Sequence, residues 1–61
     1  MMVQVYQPLW GGFPKHWAYG PVKNFKLVNN QSLGANYSEN DAKKIAAELN
    51  RDYPNAEVKI T

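Results

Sequence analysis

The chain has 61 residues, seven basic and five acidic side chains, a net charge of +2 and no cysteine. At this length it forms one small domain, with a stability that rests on apolar packing, helix caps or a second copy of itself. Disulfides, a thiolate nucleophile and a cysteine zinc site are excluded, and the mild charge does not suit a dedicated duplex-DNA binder.

The first element is "MVQVYQP", where Val3 and Val5 alternate with Gln4 and Tyr6. Period two with β-branched residues predicts a half-buried strand that Pro8 ends. If the valines meet the core, Tyr6 and Gln4 lie on the opposite face. "LWGGFP" then reads as a loop, in which Gly11-Gly12 is expected to supply backbone angles closed to other residues. Trp10 and Phe13 bracket those glycines, either folded back over the core edge or standing out as anchors. "KHWAYG" predicts a second strand with Trp17 and Tyr19 on one face and His16 and Ala18 on the other. Trp17 is expected in the core. Gly20-Pro21 is a turn signal.

"NFKLV" predicts a third strand. Asn29-Asn30 suits a two-residue hairpin turn, since asparagine tolerates positive φ, so "QSLGANY" is expected to return as a fourth strand weakened at Gly34. "SENDAKKIAAELNRDY" carries the strongest signal. Ser38 is an N-cap, with Asp41 completing a variant of the capping box. Ala42, Ile45, Ala46, Leu49 and Tyr53 form one apolar stripe, and Pro54 closes the helix. Glu39 and Lys43 stand in the favourable i,i+4 order. "AEVKIT" alternates as a terminal strand, expected beside the first and parallel to a neighbour if it crosses over.

The fold expected is therefore α+β. A mainly antiparallel sheet of three to five strands carries one helix, about residues 39–52, on one face, with the last strand after it. The helix stripe is expected to pack on Val3, Val5, Trp17, Leu27, Val58 and Ile60.

Catalytic equipment is sparse. His16 is the only histidine, and Ser38 is accounted for as a cap. The carboxylates Glu39, Asp41, Glu48 and Asp52 lie on or beside the helix, where they face water rather than a sheltered site. No ligand spacing points to a metal, and no glycine loop leads into a helix to cradle a phosphate. The expectation is a non-enzymatic protein without cofactor or metal. No apolar run is long enough for a membrane span, and the start lacks a signal-peptide pattern, so a cytoplasmic chain is expected.

What remains is binding. Trp and Tyr dominate protein interfaces, and the aromatic, Pro- and Gly-rich stretch from Trp10 to Lys15 is the first place to look. The residues expected to meet a partner are Trp10, Phe13, Lys15, Tyr6 and Tyr19. The partner is expected to be a protein, or a second copy of the chain covering the open sheet face. The alternative is a single-stranded nucleic acid held on that face by aromatics and lysines. The second half, from "SLGANYSENDAKKIAAELN" to "AEVKI", resembles a pattern widespread in small bacterial and phage proteins. There, strands with a Trp precede a capped S-x-x-D-A helix and a short last strand. The resemblance implies a small accessory protein that acts by binding.

Overall fold

The computed structural model describes all 61 residues. The strands are β1 (Val3–Tyr6), β2 (Lys15–Tyr19), β3 (Lys26–Val28) and β4 (Glu57–Ile60), with one helix, α1 (Glu39–Asp52), between β3 and β4. They form one sheet in the order β3-β2-β1-β4, antiparallel at every pairing. The α+β class, the helix bounds and the final strand beside the first agree with the sequence expectation. The parallel pairing considered for β4 does not occur, because the chain returns from α1 so that Val3 faces Ile60 and Tyr6 faces Glu57.

α1 forms for the reasons its sequence gives. The Ser38 Oγ accepts the Asp41 backbone N–H at 3.2 Å, and Glu39 and Asp41 lie in the first turn at the positive end of the helix dipole. Ala42, Ile45 and Leu49 are buried, with Ala46 and Tyr53 half-buried beside them. Pro54 lacks the N–H that a further turn would need, and the Tyr53 N–H closes the end on the Leu49 carbonyl at 2.8 Å. The expected Glu39–Lys43 pair is replaced by ion pairs at the other end, where Arg51 meets Glu48 at 3.5 Å and Asp52 at 3.2 Å. All three side chains are exposed enough that these pairs add little stability.

The core is Val3, Val5, Ala18, Ala42, Ile45 and Leu49. Trp17 is not part of it, contrary to the sequence expectation. The register sets Val5 opposite His16 and Ala18 opposite Leu27, so His16, Ala18 and Leu27 share the helix side with the valines. Trp17 faces the other way, in a row with Gln4 and Val28. Period two allows no compromise: once Ala18 turns inward, Trp17 turns outward.

Two further expectations fail locally. The third strand is shorter than "NFKLV", because Val22–Asn24 forms a 3-10 turn just before it. The fourth strand and its Asn29-Asn30 hairpin do not form. The Asn30 Oδ1 accepts from the Ser32 N–H at 3.0 Å and from its hydroxyl at 2.8 Å, which caps a 3-10 turn at Gln31–Leu33. Such local side-chain bonds compete with a ladder. The segment that follows is not a strand, yet it ties to the sheet: the Ala35 N–H donates to the Ala18 carbonyl at 3.0 Å and the Tyr37 N–H to the Met1 carbonyl at 2.7 Å. A Cβ on Gly34 would meet Met2 Cε at 2.6 Å and Trp17 Cβ at 3.0 Å, so a larger residue here would have to push the Met2 tip aside and shift Trp17 by a few tenths of an ångström.

Gly20, at φ +97°, makes the turn that leaves β2, and its carbonyl accepts the Tyr37 hydroxyl at 2.7 Å. Burial raises the Tyr37 pKa above its usual 10.0, so the folded chain favours the neutral phenol. Its contribution is whole below pH 10.0 and is lost as pH rises through the raised folded value. Urea unfolding carried from neutral into alkaline pH is expected to show stability falling as the phenol titrates. Tyr37→Phe should flatten that fall while costing about 1 kcal/mol at neutral pH.

Candidate functional site

The hairpin loop between β1 and β2 is held by a residue that the sequence reading passed over. Gln7 is 7% exposed, the only polar residue in the buried set. Its N–H donates to the Pro14 carbonyl at 2.8 Å, its carbonyl accepts the Trp10 N–H at 3.1 Å, and its Oε1 accepts the Leu9 N–H at 3.2 Å. One side chain and its peptide groups thus close both ends of the loop and bend its first turn. The signal was present: Gln7 continues the period of Val3 and Val5 and so points to the same side.

The loop folds Trp10 back toward the sheet. Its ring stands edge-on to His16 with centroids 4.8 Å apart, and to Tyr53, at the end of α1, with centroids 5.1 Å apart. Edge-to-face pairs at these distances are favourable beyond the area they bury. Phe13 does the opposite and stays 62% exposed, as does Leu9 at 82%. Trp10 and Phe13 border a recess of about 450 Å³, lined also by Gly11, Gly12, His16 and Leu27. The two glycines do not occupy left-handed backbone, so the conformational role expected of them is not used. A Cβ on either would meet nothing within 4 Å. What they contribute is the missing side chains that keep the recess open.

The recess exists because one helix is too narrow for the sheet. Four strands span roughly 14 Å between the outermost axes, and a helix with its side chains is about 10 Å wide. α1 lies over β4 and β1. The helix side of β2 and β3 is left to Trp10, Val22 and Phe25, which pack against the core from its margin. His16 and Leu27 are covered only in part, and the His16 Nδ1 is enclosed with no hydrogen-bond partner. A second recess of about 460 Å³ adjoins at Leu27 and runs between β3 and the last turns of α1, with Lys23, Lys26, Glu48 and Asp52 on its rim.

The residues expected to meet a partner therefore divide between two faces. Trp10 and Phe13 belong to the recess on the helix side. Tyr6, Lys15 and Tyr19 lie on the far face with Gln4 and Trp17, as the register requires. Tyr6 and Lys15 border a shallow hollow of about 190 Å³ there, together with Gln4, Glu57 and Lys59. Lys59 was not singled out from the sequence, although its alternation with Val58 placed it on the solvent side of β4.

No helix is long and apolar enough to cross a membrane. No group of three or more His, Asp or Glu side chains is gathered in a way that could hold a metal ion. No protein-family model, curated protein or solved structure matches this chain.

Proposed function

We propose that this is a non-enzymatic binding protein of the cytoplasm, and that it takes an exposed apolar segment of a protein partner into the recess beside Trp10. One observation carries the reading. Leu9 and Phe13 stand in water, 82% and 62% exposed, on a loop whose backbone is tied down by Gln7. Large apolar side chains in a mobile loop would collapse onto the surface. Here Phe13 lines an apolar hollow and Leu9 stands exposed on the same tied loop, so little ordering remains to be done when a partner arrives. The adjoining recess adds a rim of both charges around Leu27, the layout of an interface with an apolar centre and a polar margin.

The test uses short peptides selected from a displayed random library on the immobilised protein, with binding measured by fluorescence anisotropy. Selected peptides are expected to share large apolar anchors. Burying a Leu or Phe side chain is worth about 1.5–3 kcal/mol, so Leu9→Ser with Phe13→Ser is expected to weaken them by about two to four orders of magnitude. Thermal unfolding should barely change, because both side chains are exposed in the free protein. Peptides that bind the double variant as well as the parent would sink the proposal. Sedimentation at high concentration tests the second copy as the occupant: a dimer that Leu9→Ser and Phe13→Ser dissolve places self-association at this same recess.

A further inference from the structure

The far face of the sheet carries a charge and an aromatic pattern that the recess does not use. α1 holds four acids against three bases, whereas the rest of the chain holds four lysines against the single acid Glu57. The fold turns this segregation into a surface. Lys15 stands opposite Tyr6 on β2, Lys59 stands opposite Gln4 on β4, one position diagonal to Tyr6, and Lys26 stands opposite Tyr19. Both ion pairs of the chain belong to Arg51 on α1, so these three lysines have no carboxylate partner. Glu57 lies across from Tyr6 and pairs with neither lysine beside it. Tyr19 is 51% exposed. Its position and that of Lys15 are four residues apart along β2, about 13 Å.

We infer that this face binds single-stranded nucleic acid, with Tyr6 and Tyr19 stacking on bases and Lys15, Lys26 and Lys59 meeting phosphates. Unpaired bases offer π-faces on which exposed tyrosines can stack, and the backbone brings the charge that unpartnered lysines lack. A duplex hides its bases and asks for more cations than three, together with an element that enters a groove. An acidic peptide would satisfy the lysines and leave the tyrosines without a role. Of these residues only Lys26 also reaches the rim of the recess adjoining Trp10, and Tyr6, Tyr19, Lys15 and Lys59 line neither recess, so the inference rests on a different face from the protein-binding proposal.

The experiment measures anisotropy of a labelled twelve-residue oligothymidine against the protein between about 20 and 200 mM salt. A labelled duplex and an oligoglutamate peptide of equal charge are run beside it. Three single-strand phosphate contacts predict a slope near −2 in log K against log salt, or about a 20-fold loss between 50 and 200 mM. Lys15→Gln with Lys59→Gln is expected to bring the slope toward −0.7. Tyr19→Ala should weaken binding at least fivefold at every salt concentration, since stacking is little screened. Lys43→Gln with Lys44→Gln, on the exposed part of α1, should change neither. Circular dichroism verifies that each variant is folded. The inference is overturned by no binding at 20 mM salt, by duplex or oligoglutamate binding as tight as the single strand, or by equal losses from the α1 variant.

Discussion

Ile45→Ala is expected to lower the unfolding free energy by about 2–5 kcal/mol. At roughly 0.05–0.15 kcal/mol per residue a domain of this size has about 3–9 kcal/mol to lose, so the variant should be substantially unfolded at 37 °C. The reason is the scale of the core. Six residues make up the buried apolar cluster, and Ile45 and Leu49 are its largest fully buried side chains. The others are two valines and two alanines, which have little reach to collapse into a cavity left between α1 and the sheet. Chemical unfolding followed by tryptophan fluorescence checks this. Ile45→Val should cost only about 0.5–1.5 kcal/mol, and Leu33→Ala, on an exposed turn, should lie within about 0.5 kcal/mol of the parent. A fully folded Ile45→Ala with an unchanged midpoint would mean that the sheet and helix are held by something other than this contact.

The same core explains which parts of the fold were legible. α1 announces itself because its cap, its stripe and its terminating proline are all local signals that agree. β1 and β4 read correctly because each alternates with a β-branched inner face. β2 alternates just as clearly, but periodicity gives two faces without saying which is inner. Size argued for Trp17 and packing chose Ala18, since the register with β1 was fixed by Val5 facing His16. The segment after β3 failed for another reason. Asparagine beside asparagine suits a hairpin, yet the same side-chain chemistry also caps a 3-10 turn, and Asn30 with Ser32 took that course.

The candidate site was legible as a stretch and not as a surface. Proximity in sequence grouped Trp10, Phe13, Lys15, Tyr6 and Tyr19, but a strand sends neighbours to opposite faces. Lys15 and Tyr6 are therefore turned away from Trp10 and Phe13 although they adjoin them in the hairpin. Gln7 was the residue that period two could have supplied, as the next inward position after Val5. That it is polar hid it, because an inward glutamine reads as the end of a strand rather than as the tie of a loop.

Trp10→Ala is the change expected to cost both stability and binding, which makes it the sharpest probe of how the recess is built. The ring is half-buried and packs against the core while standing edge-on to His16 and Tyr53. Full truncation of a buried aromatic costs about 3–5 kcal/mol; partial exposure brings the expected loss to about 2 kcal/mol. With a small domain's unfolding entropy, that is a drop of roughly 8–16 °C in Tm. Peptide binding should be lost as well, because the floor of the recess goes with the ring. Trp10→Phe separates the two effects. It retains an edge-to-face partner for His16 and Tyr53, so most of the stability should return, while the shorter ring deepens the recess and shifts the selected peptides toward larger anchors. If Trp10→Ala melts with the parent, the ring contributes no packing and the loop is held by Gln7 alone. If it loses stability but binds peptide unchanged, the docking surface lies on Leu9 and Phe13 without a floor beneath them. Loss of both, with stability recovered and peptide choice shifted toward larger anchors in Trp10→Phe, is what a recess built on this ring requires.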